Sequence, residues 1–128
     1  LRKKFNINIV ATDLDPRAVE STKLNLKFNN VNIEIFESDL FQNINSNNYD
    51  LIFWNLPYYK KVENYLTGLI SQSDKYLKNN GKLILGYNTS TLDPRVVQNI
   101  VNKNHNLIYA NTVNYSWNKH AISVISKS

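Results

Sequence analysis

Neither cysteine nor methionine occurs in the 128 residues, and glycine stands at three positions only. Without thiols there is no disulfide framework and no thiolate metal centre, a pattern that fits a cytoplasmic protein without demanding one. Without methionine the chain opens at Leu1 and not at an initiator, so it reads as a fragment of a longer protein. Apolar runs such as Leu51-Ile52-Phe53-Trp54 fall far short of the roughly 20 residues that cross a bilayer. No secretion signal appears, so Asn88-Thr89-Ser90 and Asn114-Tyr115-Ser116 carry no meaning as glycosylation acceptors. Neither a membrane nor a metal is expected as a partner.

What is present supports one folded domain. Hydrophobic residues make up 42% of the chain, enough to build a core. The net charge of +5 is spread thinly, with Arg2-Lys3-Lys4 as the one dense cluster, which reads as solvated surface before it reads as a nucleic-acid footprint. Residues 8–12 form a short β-branched run ended by Asp13-Leu14-Asp15-Pro16. Asp15 is suited to cap a helix and Pro16 to open it, predicting a helix to Phe28 with Ala18, Val19, Thr22 and Leu26 inward. Residues 31–36 alternate as a second strand. Residues 49–54, after a polar loop, are so apolar that a fully buried strand is expected. Leu66, Leu69, Ile70, Ser73 and Leu77 recur at helical spacing, and Asn80-Gly81 reads as a left-handed stop. A strand over 82–87, a helix opened by Asp93-Pro94, and strands over 106–115 and 119–126 complete the chain. Long crossovers followed by a short final connection predict an α/β fold: a Rossmann-like, mostly parallel sheet with helices on both faces and an antiparallel C-terminal strand pair.

In an open α/β sheet, ligands bind at the carboxyl ends of the strands. Three loops leave that edge: Asp13-Leu14-Asp15, Ser38-Asp39-Leu40-Phe41 and Asn55-Leu56-Pro57-Tyr58. An acid after such a strand can accept from both ribose hydroxyls, which makes Asp13 either a ribose anchor or a plain turn aspartate. Asp39 can accept from an adenine amino group, with the Leu40 N–H turned to a ring nitrogen, or it can cap its own loop.

With its Asn-Leu-Pro-Tyr tetrapeptide behind two acidic loops, the sequence resembles class I S-adenosylmethionine-dependent methyltransferases. The nearest likeness is to the methyltransferase small-domain group with its Asn-Pro-Pro-Tyr/Phe signature, which includes release-factor glutamine and ribosomal RNA amino-methyltransferases. The likeness covers nearly the whole chain. It implies that Asp13 and Leu14 form the ribose loop, Asp39 and Leu40 the adenine loop, and Asn55, Leu56, Pro57 and Tyr58 the catalytic loop. The implied reaction is methyl transfer to a planar amino or amide nitrogen of a protein glutamine or an RNA or DNA base. Such a nitrogen is a poor nucleophile because its lone pair is delocalised. Acceptance of its two N–H bonds by the Asn55 side-chain oxygen and the Leu56 carbonyl would aim that lone pair at the methyl group. Pro57 would stiffen the turn, and Tyr58 would stack on the substrate.

Two departures stand out. Leu56 replaces the group's usual first proline, a form similar to the loop of ribosomal RNA adenine dimethylases, and Trp54 is unusually bulky, either core filling or a wall of the substrate pocket. The family's Gly-x-Gly loop would precede Asp13 by about one helix, so residues 1–128 are expected to be a partial domain whose missing strand lies centrally. On this reading the fragment alone is inactive or nearly so. His105 and His120 read as ordinary surface or strand residues. A non-catalytic methyltransferase-like module and a nicotinamide-dependent oxidoreductase are the rival readings, the latter leaving the tetrapeptide without a role.

Overall fold

The computed structural model describes residues 8–45, 48–56, 62–115 and 119–128. These fall into two compact units, one ending at Asn45 and the other comprising the remainder.

The first unit is a strand–helix–strand. Strand β1 (Val10–Asp13) pairs in parallel with β2 (Glu34–Glu37), and α1 (Pro16–Phe28) connects them. Asp15 caps α1 as its sequence predicts, accepting the Arg17 N–H at 2.9 Å. That bond and the Arg17 guanidinium hold the Asp15 carboxyl below the usual carboxylate range. Val19 is buried and Ala18, Thr22 and Leu26 are half-buried, the expected inward stripe. The second strand starts three residues later than its alternation suggests. Asn30 takes a left-handed conformation with φ of 54°, and Val31 and Asn30 donate back to the carbonyls of Leu26 and Lys27 at 2.9 and 3.2 Å. This paired closure satisfies the last helical carbonyls and withdraws Val31 from strand pairing.

The second unit holds a four-stranded sheet in the order β3-β4-β6-β5, built from β3 (Tyr49–Asn55), β4 (Leu77–Asn88), β5 (Leu107–Tyr115) and β6 (His120–Lys127). The β3–β4 pair is parallel and the other two pairs are antiparallel, which bears out the mixed sheet with an antiparallel end. Helices α2 (Val62–Tyr76) and α3 (Pro94–Asn102) cover one face. Leu66, Leu69 and Ile70 of α2 and Val97 and Val101 of α3 are buried with Leu83, Leu85, Tyr87, Ala121 and Ile125 from alternate strand positions. Asp93 caps α3 by accepting the Arg95 N–H at 2.8 Å.

Two expectations fail here. The helix ending at Asn80-Gly81 stops at Tyr76 instead, and Leu77 is the buried first residue of β4. Asn80, not Gly81, is left-handed, with φ of 66°. Gly81 is required for space, because a Cβ there would meet Leu77 Cδ1 and the Lys78 carbonyl oxygen at 2.8 Å. The second failure is the fully buried strand over 49–54: Leu51 is 48% and Phe53 59% exposed. Among the described residues β3 pairs with β4 alone, and the face that carries Leu51 and Phe53 is not the one covered by α2 and α3. Likewise β1 pairs with β2 alone.

Candidate cofactor and acceptor sites

In the first unit, Asp13 ends β1 and is exposed. Its Oδ1 accepts the Asp15 N–H at 2.9 Å, so one carboxylate oxygen closes the local turn. Its carbonyl accepts the Ser38 N–H at 2.9 Å, tying the loop after β1 to the loop after β2. Leu14 beside it is 65% exposed.

The second loop is tightly braced. Ser38 is buried; its hydroxyl donates to the Leu40 carbonyl at 2.9 Å and accepts the Asn43 N–H at 3.1 Å. Asn43 Nδ2 also donates to the Glu37 carbonyl at 2.7 Å. Within this brace Asp39 is exposed, and the buried Leu40 is held at φ of 54°. A left-handed leucine costs on the order of 1–2 kcal/mol, and it persists because the Ser38 hydroxyl captures its carbonyl while its side chain is buried. Neither the serine brace nor the strained leucine is signalled by the sequence, since Ser-Asp-Leu suits many unstrained turns. A groove of about 370 Å³ in this unit, walled by residues that include Val19, Lys23 and Phe36, has none of Asp13, Leu14, Asp39 or Leu40 in its lining.

In the second unit, Asn55 is the last residue of β3 and is exposed. It stands opposite Gly86 of β4, and the Leu56 N–H donates to the Gly86 carbonyl at 2.8 Å. The Leu56 side chain is buried, which anchors the strand's exit. Pro57 and Tyr58 lie outside the described residues. Alternation puts Trp54 on the opposite face from Asn55, and its indole N–H donates to Ser73 Oγ of α2 at 3.1 Å. Trp54 is thus core filling on the helix-covered face and no wall for Asn55.

Among the described residues no three His, Asp or Glu side chains gather as a metal site, and no helix is long and apolar enough to cross a membrane. His105 follows α3 in a turn before β5, while His120 begins β6, near Gly86. The lone glycine in the run Leu83-Ile84-Leu85-Gly86-Tyr87 was the signal of a close approach there.

Parallel strand pairs joined through helices, with a closing antiparallel pair, are the fold of the class I methyltransferases. A crystal structure of a methyltransferase from Pyrococcus furiosus shares it with a TM-score of 0.79 at 22% identity, covering 98% of this chain and 65% of that one. The chain belongs to the methyltransferase small domain family, whose model matches residues 1–116. Two curated relatives are similar over shorter stretches. One, described as a protein N5-glutamine methyltransferase, from Methanocaldococcus jannaschii, is 45% identical over 69 residues, covering 50% of this chain and 34% of its own length. The other, a ribosomal RNA small subunit methyltransferase C from Buchnera aphidicola, is 40% identical over 82 residues, covering 60% and 24%. The matches thus span only 34% and 24% of those relatives' lengths.

Proposed function

We propose that this chain belongs to an S-adenosylmethionine-dependent N-methyltransferase whose acceptor is a planar amino or amide nitrogen, a protein glutamine or a nucleic-acid base. The names of the two curated relatives favour those acceptor classes. The observation that carries the reading is the exposed Asn55 at the carboxyl end of β3, its exit fixed by the Leu56–Gly86 hydrogen bond and the buried Leu56 side chain.

The residues present fit the cofactor. Asp13 and Asp39 are exposed acceptors for hydroxyl and amino donors, Leu14 is an exposed apolar surface, and the strained Leu40 turn is of the kind found where backbone is shaped for a ligand. When bound, the cofactor supplies an electrophilic methyl group on a sulfonium. Asn55 Oδ1 and the Leu56 carbonyl then accept the two N–H bonds of the acceptor nitrogen and hold its lone pair in line, which removes orientational entropy from the barrier. With the acceptor nitrogen so held by Asn55 and Leu56, the methyl group that the cofactor would supply could pass to it, and the nitrogen's surplus proton would leave to solvent. As positive charge grows on the nitrogen its N–H groups become better donors, so both contacts strengthen in the transition state.

Incubating the whole gene product with methyl-labelled S-adenosylmethionine, total protein and total nucleic acid, RNA and DNA together, tests this. The expected result is label on nitrogen in one of the two pools. Label on carbon or oxygen, or none in either pool, would overturn it.

A further inference from the structure

Three strands meet at one position that lacks a side chain. Gly86 of β4 stands opposite Asn55 of β3 on one side and Ile122 of β6 on the other. Its φ is not positive, so backbone conformation does not demand a glycine. Nor does space: a Cβ at residue 86 would lie at ordinary contact distance, 3.4 Å from Asn55 Oδ1, 3.5 Å from His120 Nε2 and 3.9 Å from Phe53 Cζ, so the glycine leaves a methyl-sized gap there. Two polar side chains from the strands flanking β4 therefore reach the same gap, with an aromatic ring at its margin.

The position of His120 is set by its neighbours. It opens β6 opposite Asn88, and the preceding Lys119 carbonyl accepts both the N–H and the hydroxyl of Thr89, at 2.8 and 3.1 Å. The imidazole is half-buried and Asn55 is exposed, so the gap opens outward on the Asn55 side.

We infer that His120 is a second polar contact for the methyl acceptor, its Nε2–H donating to a hydrogen-bond acceptor atom that flanks the methylated nitrogen. This rests on the assignment of Asn55 above. A planar group whose nitrogen donates to Asn55 Oδ1 carries its next polar atom about 2.3 Å from that nitrogen, the span of one shared carbon built from standard bond lengths. In a carboxamide that atom is the carbonyl oxygen, and in an amino-substituted base it is a ring nitrogen. Both are acceptors that an imidazole N–H matches. Gly86 leaves room for the group to settle between the two side chains, and Phe53 supplies an apolar edge. The contact selects for the flanking acceptor atom, so its loss raises the half-saturating acceptor concentration without touching the cofactor.

The test uses the whole gene product and its labelled protein or nucleic-acid pool, comparing His120→Ala, His120→Gln, Gly86→Ala and Asn55→Ala. His120→Ala should raise the half-saturating pool concentration about tenfold, the scale of one lost hydrogen bond, with cofactor affinity unchanged. His120→Gln, which keeps an N–H donor, should recover most of that loss. Gly86→Ala, whose methyl fits at ordinary contact distance but fills the gap, should melt like the wild type and bind acceptor as poorly as His120→Ala. If His120→Ala unfolds, the Gln and Gly86 variants carry the comparison. Wild-type saturation in both Gly86→Ala and the folded His120 variants, with Asn55→Ala inactive, would overturn the role of His120 and leave the assignment of Asn55 standing. An active Asn55→Ala would overturn that assignment itself.

Discussion

Asp13 can be a ribose anchor or a turn residue, and the structure bears on both. Its Oδ1 closes the turn through the Asp15 N–H, and among the described residues no bond is made to Oδ2, which leaves an exposed acceptor. If that oxygen holds ribose hydroxyls, Asp13→Ala weakens binding by roughly 1.5–3 kcal/mol, the scale of a hydrogen bond to a charged group. Calorimetric titration with the demethylated cofactor reads this directly, and unchanged affinity would leave Asp13 a turn aspartate. Residues such as Asp13, Asp39 and Asn55 are legible in the sequence because each is a polar side chain just past an apolar run, where a strand must end. His120 is not. Its nearness to Asn55 depends on a register that joins residues 55, 86 and 120 across three strands, and nothing local to Lys119-His120-Ala121 encodes it.

The starts of α1 and α3 were readable, since Asp15-Pro16 and Asp93-Pro94 act through bonds two residues away; the end of α2 was not. What fastens α2 to the sheet was not readable. Asp74, in its last turn, accepts from Asn104 Nδ2 at 3.2 Å and Asn106 Nδ2 at 3.1 Å. Its Oδ1 makes no hydrogen bond but lies 3.2 Å from Lys127 Nζ, an ion pair poorly aligned for one. Lys127 in turn donates to the carbonyls of Asp74 and Leu77. Burial pushes the Asp74 carboxyl up, but the hydrogen bonds from Asn106 and Asn104 and the nearby Lys127 outweigh it and hold the carboxyl below its ordinary value. A depressed carboxyl stabilises the fold above its unfolded pKa of about 3.9 and loses that contribution as pH falls through the lower folded value. Asp74→Asn should therefore cost about 1.5–3 kcal/mol near pH 7. The gap between wild type and variant in denaturant melts should shrink as pH falls below about 4. A gap that stays constant to pH 2 would show that packing, not charge, is what the substitution removes.

Over the whole molecule, alternating strands and helices made the α/β architecture and its antiparallel end legible, because crossover length decides parallel from antiparallel. Which face of β3 the helices α2 and α3 cover was not legible. Tyr49-Asp50-Leu51-Ile52-Phe53-Trp54 looks like a strand buried on both sides, yet a sequence states only how apolar a strand is, not which elements cover it. Its exposed face holds Leu51, Phe53 and Asn55 in alternation, so the acceptor-side asparagine stands on the apolar face that α2 and α3 leave open. The proposed function divides the labour, with Asp13 and Asp39 assigned to the cofactor and Asn55 to the acceptor nitrogen. It is tested most directly by measuring turnover and cofactor affinity together in Asn55→Ala of the whole gene product. The account predicts turnover lower by about two orders of magnitude or more with cofactor affinity nearly unchanged, because the lost contact acts on the transition state. Turnover near the wild-type value, or a parallel loss of cofactor binding, would contradict it.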